Sequence, residues 1–165
     1  MTLFEQYAAH VDHALDALVA SKTLPSGIDR ANVTVEPPRD PSHGDISTNA
    51  AMVLAKPAGL NPRQLAEALS AELAKVAGVT AVEIAGPGFL NLRLDASAWL
   101  DELRAIAQAG DDYGRSHRGD GKSVNIEYVS ANPTGTMHMG HCRGAVVGDA
   151  IAALMEFAGY RVVRE

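Results

Sequence analysis

The sequence predicts an α+β domain, in which helices pack on a small, mainly antiparallel sheet, followed by the first βαβ unit of an open α/β domain. Helical and strand patterns are mixed over residues 1–110, and a polar stretch with several glycines occupies residues 111–121. A strand, a long helix and a second strand fill residues 122–165. Because a parallel sheet needs more strands and cover on both faces, the second domain is expected to be truncated.

Four helices are expected in the first part. Apolar residues recur at helical spacing over residues 3–20 and predict one amphipathic helix. A second helix is predicted over residues 46–56. Asn61 can cap the free amides of a third helix, and Pro62 suits its first turn. The apolar pattern of residues 97–108 predicts the fourth helix.

Three strands are expected between these helices. Val33 and Val35 alternate with polar residues and run into two prolines, which indicates a short edge strand. Residues 80–85 and 89–94 are two further strands, and the glycine-containing turn of residues 86–88 separates them. In the second part, strands are predicted over residues 123–128 and 160–164, on either side of a helix over residues 140–158.

The composition is that of an ordinary globular protein of the reducing cytoplasm. Hydrophobic residues make up 47% of the chain and aromatic residues only 5%, so the core is built mainly from aliphatic side chains. The lone Cys142 excludes an internal disulfide, and no signal peptide or membrane span of about 20 apolar residues is present. The net charge of -6 argues against non-specific coating of nucleic acid, but specific RNA contact needs few charges.

The segment of residues 126–143, IEYVSANPTGTMHMGHCR, carries the main candidate site. It leaves the carboxyl end of a strand and enters a helix, which is where open α/β sheets bind ligands. His138 and His141 can project from the same side of the first helical turn, whose free amides can face phosphate. Gly140 leaves a surface for a flat base. This pattern predicts a site for a nucleoside triphosphate.

Other candidate motifs have plainer interpretations. Residues 121–123, GKS, imitate the end of a P-loop, but they precede a strand instead of following one. Cys142 is interpreted as a small packing residue. Gly44 and Asp45 are interpreted as a turn followed by a helix cap. The remaining histidines show no ligand spacing, so no metal site is predicted.

The motif His138-Met139-Gly140-His141 resembles the HIGH signature of class I aminoacyl-tRNA synthetases. A longer frame resembles the arginyl-tRNA synthetases in particular, and its members are Glu127, Ser130, Ala131, Asn132, Pro133, Thr134, Gly135, His138, Gly140, His141, Arg143, Gly144, Gly148 and Asp149. Residues 44–49, GDISTN, and 86–91, GPGFLN, resemble two hallmarks of the N-terminal extra domain of the bacterial enzymes. The resemblance covers nearly the whole chain, but only the front part of the family's protein.

The resemblance implies a Rossmann-like catalytic domain that activates L-arginine with ATP, which enters with Mg²⁺. It assigns ATP binding to His138, Gly140 and His141, with the two histidines as catalytic residues that stabilise the transition state. The arginine-binding residues implied by the family are Glu127, Ser130, Asn132 and His138. Glu127 is expected to bind the guanidinium group, for which a bidentate carboxylate is well suited.

The resemblance also implies the domain roles and the partners. Residues 1–110 are expected to contact tRNA(Arg), with Phe89 and Asn91 meeting a D-loop nucleotide. Residues 111–121 are expected to be a linker, and residues 122–165 to begin the catalytic domain. The KMSKS-like loop, the rest of the arginine pocket and the anticodon-binding domain are absent from the 165 residues. The chain is therefore expected to be a monomeric, cytoplasmic and inactive N-terminal part of an arginine–tRNA ligase.

Two other functions fit parts of the sequence. The chain can act only as a tRNA-binding module, because the first domain is whole and the second is unfinished. It can also belong to a nucleotidylyltransferase of the wider HIGH family, although the extra domain with residues 86–91 argues against this. A longer open reading frame after Glu165 would distinguish the synthetase from the binding module, and arginine-dependent pyrophosphate exchange by the extended protein would distinguish it from the nucleotidylyltransferase.

Overall fold

The computed structural model describes residues 2–165 and divides the chain into two compact units, one ending at Gly110 and the other beginning at Asp111. The division falls at the beginning of the polar segment predicted as a linker. That segment is hydrogen-bonded within the second unit, where Ser116 N donates to Phe157 O at 3.1 Å. The segment thus belongs to the packed structure of the second unit.

Between residues 2 and 110, four α-helices accompany a four-stranded antiparallel sheet. The helices are α1 (Leu3–Ala20), α2 (Ala50–Ala58), α3 (Pro62–Leu73) and α4 (Ala96–Ala109). The strands are β1 (Val35–Glu36), β2 (Ile46–Thr48), β3 (Val79–Ala85) and β4 (Phe89–Leu94), in the spatial order β1-β2-β4-β3. All neighbouring strands are antiparallel, and β1 lies at an edge as predicted. The predicted fold class of the first part is confirmed.

The core of the first unit lies between one face of the sheet and helices α1 to α3. Alternate residues of β4, Leu90 and Leu92, are fully buried. Leu65, Leu69 and Leu73 of α3 are buried with them, on the face that their four-residue spacing predicts. Asn61 caps this helix as predicted, since its Oδ1 accepts a hydrogen bond from Arg63 N at 2.9 Å.

The helix predicted over residues 46–56 is wrong at its beginning, because Ile46–Thr48 forms β2 between β1 and β4. Ile46 and Thr48 are both buried in the core. Oγ1 of Thr48 accepts a hydrogen bond from Ala50 N at 3.3 Å, where α2 begins. Pairing with a strand that is distant in sequence overrides the local helical pattern, which is common for short apolar segments.

The segment before β2 also differs from its prediction, because Asp45 does not cap a helix. Its Oδ2 accepts a hydrogen bond from Leu94 N at 2.8 Å, and its Oδ1 accepts one from Trp99 Nε1 at 3.3 Å. Gly44 has a φ of +118°, and a Cβ at this position would lie 2.7 Å from Leu92 O. The segment therefore packs directly on β4, and residue 44 has to be glycine.

Helix α4 is confirmed, but its apolar stripe is not its buried side. Trp99, Leu100, Leu103 and Ile106 are all exposed. Glu102 is only 7% exposed, and its Oε1 accepts a hydrogen bond from Leu3 N at 2.8 Å. A buried carboxylate that bonds to the first turn of α1 therefore fixes this helix to the unit.

The second unit contains the predicted βαβ arrangement. Strand β5 (Ser123–Ile126), helix α5 (Met139–Phe157) and strand β6 (Arg161–Arg164) follow in order, and the two strands pair in parallel. The helix approaches the end of β5 closely, because a Cβ at Gly148 would overlap the Cβ of Tyr128. Between residues 2 and 165 no helix is long and apolar enough to cross a bilayer.

Candidate functional site

His138 and His141 stack on each other where α5 begins. Their ring centroids are 3.9 Å apart, and the ring planes are inclined by 22°. Nδ1 of His138 accepts a hydrogen bond from Gly140 N at 3.1 Å, and Nδ1 of His141 accepts one from His138 N at 3.3 Å. The two imidazoles thus form a reciprocal capping box at the helix N-terminus. The Nε2 edge of each ring, opposite Nδ1, is left for a ligand.

The absence of a side chain at Gly140 leaves room for the His138 ring above the first turn of α5. A Cβ at residue 140 would lie 2.9 Å from Cε1 and 3.0 Å from Nδ1 of His138. Real Cβ contacts of this kind are almost never below 3.0 Å. Glycine at this position therefore lets the His138 ring lie over the turn, and a larger residue would require the ring to shift.

Glu127 and Gly140 line a groove of about 520 Å³ beside α5, together with Arg143. Glu127 directly follows β5 and is exposed. Within residues 2–165 the guanidinium group of Arg143 forms no ion pair. The groove therefore offers one free carboxylate and one free cation to a ligand.

The remaining residues of the predicted arginine site lie outside this groove. Ser130 and Asn132 are exposed in the loop between β5 and α5, and His138 does not line the groove. In the second unit Glu127 and Gly140 thus line one groove, and His138 and His141 stack on each other. The predicted ATP-binding and arginine-binding residues do not all line one groove.

Cys142 is exposed, so its interpretation as a packing residue is wrong for this chain. Within the described residues 2–165, no three or more His, Cys, Asp or Glu side chains are grouped so that they could hold a metal ion.

Phe89 and Asn91 line a second cavity, of about 480 Å³, on the first unit. Alternation along β4 places them on the sheet face opposite Leu90 and Leu92. The Asn91 side chain is part of a residue only 5% exposed, and its amide makes no hydrogen bond within residues 2–165. An unpaired amide beside an aromatic ring, in one concave site, has the chemistry for pairing with a base edge while the ring stacks.

Five further residues line this cavity, and only Asn49, in the segment GDISTN, belongs to a motif noted in the sequence. They are Thr34, Glu36, Arg39, His43 and Asn49. Oδ1 of Asn49 accepts a hydrogen bond from Thr34 N at 2.8 Å, which fixes the chain where β1 begins. The prolines around Arg39 could have indicated this residue in the sequence, because they restrict the backbone on both sides of a charged side chain.

Comparisons with known proteins identify first the class and then the family. The profile described as tRNA synthetases class I (R), catalytic domain, matches residues 102–165. The profile described as Arginyl tRNA synthetase N terminal domain matches residues 5–94, more than half of the chain. The chain belongs to the arginyl-tRNA synthetase family.

Individual relatives agree with this assignment. The chain is 64% identical over all 165 residues to an arginine–tRNA ligase of Novosphingobium aromaticivorans and 60% identical to one of a Ruegeria species. It spans 28% of the length of each of these relatives. The relatives are therefore much longer than these 165 residues, and their whole length is what the name arginine–tRNA ligase describes.

Solved structures agree as well. The chain is similar to Thermus thermophilus arginyl-tRNA synthetase with a TM-score of 0.72 and 26% identity, over 99% of this chain and 25% of that one. The arginyl-tRNA synthetase of Plasmodium falciparum gives a TM-score of 0.71 at 17% identity, over 98% of this chain and 30% of that one, and supports the fold alone. The resemblance and the fold class inferred from the sequence are confirmed.

Proposed function

We propose that the chain supplies the tRNA-contacting domain and the beginning of the catalytic domain of an arginine–tRNA ligase. The observation that carries this proposal is the stacked, reciprocally capping pair of His138 and His141, placed where the helix follows β5. In the longer enzyme, L-arginine reacts with ATP to give arginyl-adenylate, and the arginyl group is then transferred to tRNA(Arg).

The histidine pair acts on the phosphates of ATP, which enters as a substrate with Mg²⁺. A carboxylate oxygen of arginine attacks the α-phosphorus, so that a new oxygen–phosphorus bond forms while the bond to pyrophosphate breaks. Because Nδ1 of each ring accepts a backbone hydrogen bond, Nε2–H of each ring is the group that donates to phosphate. These fixed donors, with the free amides where α5 begins, stabilise charge that develops in the transition state.

Arginine is held in the groove that Glu127 lines. The carboxylate of Glu127 pairs with the guanidinium group of the substrate, for which two parallel hydrogen bonds give both energy and specificity. Ser130 and Asn132 position the α-amino end of arginine, and His138 contacts both substrates. Ser130 and Asn132 are exposed in the loop between β5 and α5, directly after Glu127 in the chain.

The first unit contacts tRNA(Arg) through the cavity that Phe89 and Asn91 line. The ring of Phe89 stacks on an unstacked base of the D-loop, and the amide of Asn91 pairs with the edge of that base. The amide of Asn91 supports this role, because it lines the cavity beside the Phe89 ring and makes no hydrogen bond within residues 2–165, so its donor and acceptor are available to a base edge. The enzyme is expected to work as a cytoplasmic monomer, which sedimentation of the longer protein tests.

Arginine-dependent exchange of labelled pyrophosphate into ATP tests the proposal. A chain extended to the length of its relatives is expected to catalyse the exchange. The 165-residue chain is expected to be inactive, because it forms only one wall around reactants that must be held from several sides. Exchange by the short chain would contradict the second expectation.

The same experiment separates the alternatives. An extended protein that binds tRNA but shows no exchange would be a tRNA-binding module only. Nucleotidyl transfer to an acceptor other than arginine would identify a HIGH-family nucleotidylyltransferase instead.

A further inference from the structure

The cavity on the first unit carries one arginine, Arg39, that has no ion-pair or hydrogen-bond partner among residues 2–165. The other arginines of residues 2–110 each lie 2.6–3.7 Å from a carboxylate oxygen, and they are Arg30, Arg63, Arg93 and Arg104. The side chain of Arg39 makes no ion pair and no hydrogen bond within residues 2–165. It nevertheless lines the same cavity as Phe89 and Asn91.

The segment that carries Arg39 is held in a defined conformation. Residues 37–41 contain three prolines, whose φ angles are fixed. Oδ1 of Asp40 accepts a hydrogen bond from Ser42 N at 2.9 Å and so caps the short 3-10 helix Pro41–His43. This bond lowers the pKa of Asp40. The carboxylate that follows Arg39 in the chain is therefore engaged with the backbone.

The same segment is fastened to β4, the strand that carries the two proposed base contacts. Nη2 of Arg93 donates a hydrogen bond to Ser42 O at 2.6 Å, and Asp45 N donates one to Leu92 O at 2.9 Å. Gly44 lies against the carbonyl of Leu92 so closely that no Cβ fits. These contacts hold the segment that carries Arg39 against β4 before any ligand binds.

We propose that Arg39 binds a backbone phosphate of the RNA strand whose unstacked base lies against Phe89 and Asn91. This inference rests on the proposed function of that pair. A splayed nucleotide carries its phosphate beside its base, and a free guanidinium group is a bidentate partner for phosphate. Glu36 lines the same cavity and its carboxylate repels phosphate, so Arg39 is the group of this cavity that supplies the positive charge for a phosphate.

The two kinds of contact contribute differently to binding. A phosphate contact positions the RNA and adds affinity that depends on salt, whereas a base contact gives discrimination between bases. Arg39 is therefore expected to strengthen binding of any base at this position. Asn91 is expected to determine which base is preferred.

Binding of tRNA(Arg) by the 165-residue chain, followed by fluorescence anisotropy from about 50 to 200 mM salt, tests the inference. Arg39→Ala is expected to lower the slope of log Kd against log salt by about 0.7–0.9 and to weaken binding equally for wild-type and D-loop-substituted tRNA. Asn91→Ala is expected to keep the slope and to lose the discrimination. Arg104→Ala removes the same charge outside the cavity and is expected to change neither.

The outcomes separate this inference from the function on which it rests. An unchanged salt slope in Arg39→Ala, with base discrimination intact in the wild type, overturns the phosphate contact and leaves the base contact standing. A wild-type chain that does not discriminate between the two tRNAs, or does not bind either, overturns the base contact and this inference with it. Arg39→Lys is expected to restore most of the slope, because lysine keeps the charge.

Discussion

The rings of His138 and His141 lie 3.9 Å apart, and each uses its Nδ1 atom as the acceptor of a backbone hydrogen bond from the same helical turn. A neutral imidazole that accepts at Nδ1 carries its proton at Nε2. The helix cap therefore selects one tautomer for both rings. In that tautomer both rings present an N–H donor to a phosphate, without any substrate being present.

We predict that long-range proton–nitrogen NMR spectra of the 165-residue chain show the Nε2–H tautomer for His138 and His141. Gly140→Ala is expected to weaken this pattern for His138, because the added Cβ would lie 2.9 Å from Cε1 of the ring and displace it. The exposed His43 serves as the reference for an imidazole without a helix-cap bond. A spectrum in which His138 matches His43 in the unaltered chain would show that the cap does not select the tautomer.

Replacing either histidine by alanine in the extended enzyme is expected to lower the rate of adenylate formation by on the order of 100-fold or more, because the lost donors act in the transition state. Binding of tRNA is expected to change much less. Single-turnover formation of arginyl-adenylate measures the first effect. His138→Asn is the matched variant, since asparagine still caps a helix. Near-normal activation by both alanine variants would refute the assignment of the motif.

Glu127→Gln is expected to weaken arginine binding and to leave ATP binding unchanged. The change removes a charge-assisted hydrogen-bond pair, which corresponds to about 1.5–3 kcal/mol, or roughly a 10- to 150-fold rise in the KM for arginine. Pyrophosphate exchange at varied arginine and at varied ATP measures both constants. A rise in the KM for ATP alone would place Glu127 on the nucleotide side of the groove.

Phe89→Ala and Asn91→Ala are each expected to raise the apparent Kd for tRNA by about tenfold or more, because stacking on one base is worth about 1–3 kcal/mol. The wild-type enzyme is expected to bind tRNA with a substituted D-loop base more weakly than normal tRNA. The Asn91→Ala variant is expected to bind both tRNAs equally. Titration of both tRNAs with both proteins, with ATP binding as the control, measures this. If the two proteins discriminate equally, Asn91 is only a structural amide of β4.

Much of the fold could be predicted from local patterns, and the exceptions have a common physical reason. Helix α3 and strand β4 follow from spacing and turn residues within each segment. Ile46–Thr48 could not be recognised as a strand, because its pairing with β4 depends on residues far along the chain. The histidine pair was visible as a motif, whereas Arg39 is singled out only by its lack of a carboxylate partner in space.

Gly44→Ala is expected to destabilise the first unit strongly, because the segment that carries Arg39 touches β4 at this residue. A Cβ would lie 2.7 Å from the carbonyl oxygen of Leu92, and the φ of +118° is one that side chains rarely adopt. Gly27→Ala is the matched control, since Gly27 also has a positive φ, of +78°, but has no atom within 4 Å of the added Cβ. The control should lose about 1–2 kcal/mol for its backbone conformation alone. Gly44→Ala should lose a further 1–3 kcal/mol or so from the clash and the strained backbone.

The single Trp99 donates to Asp45, next to Gly44, so its fluorescence during urea unfolding reports on the first unit. Equal losses of unfolding free energy in the two variants would mean that the segment can move away from β4, and the cavity would then not be fixed in advance.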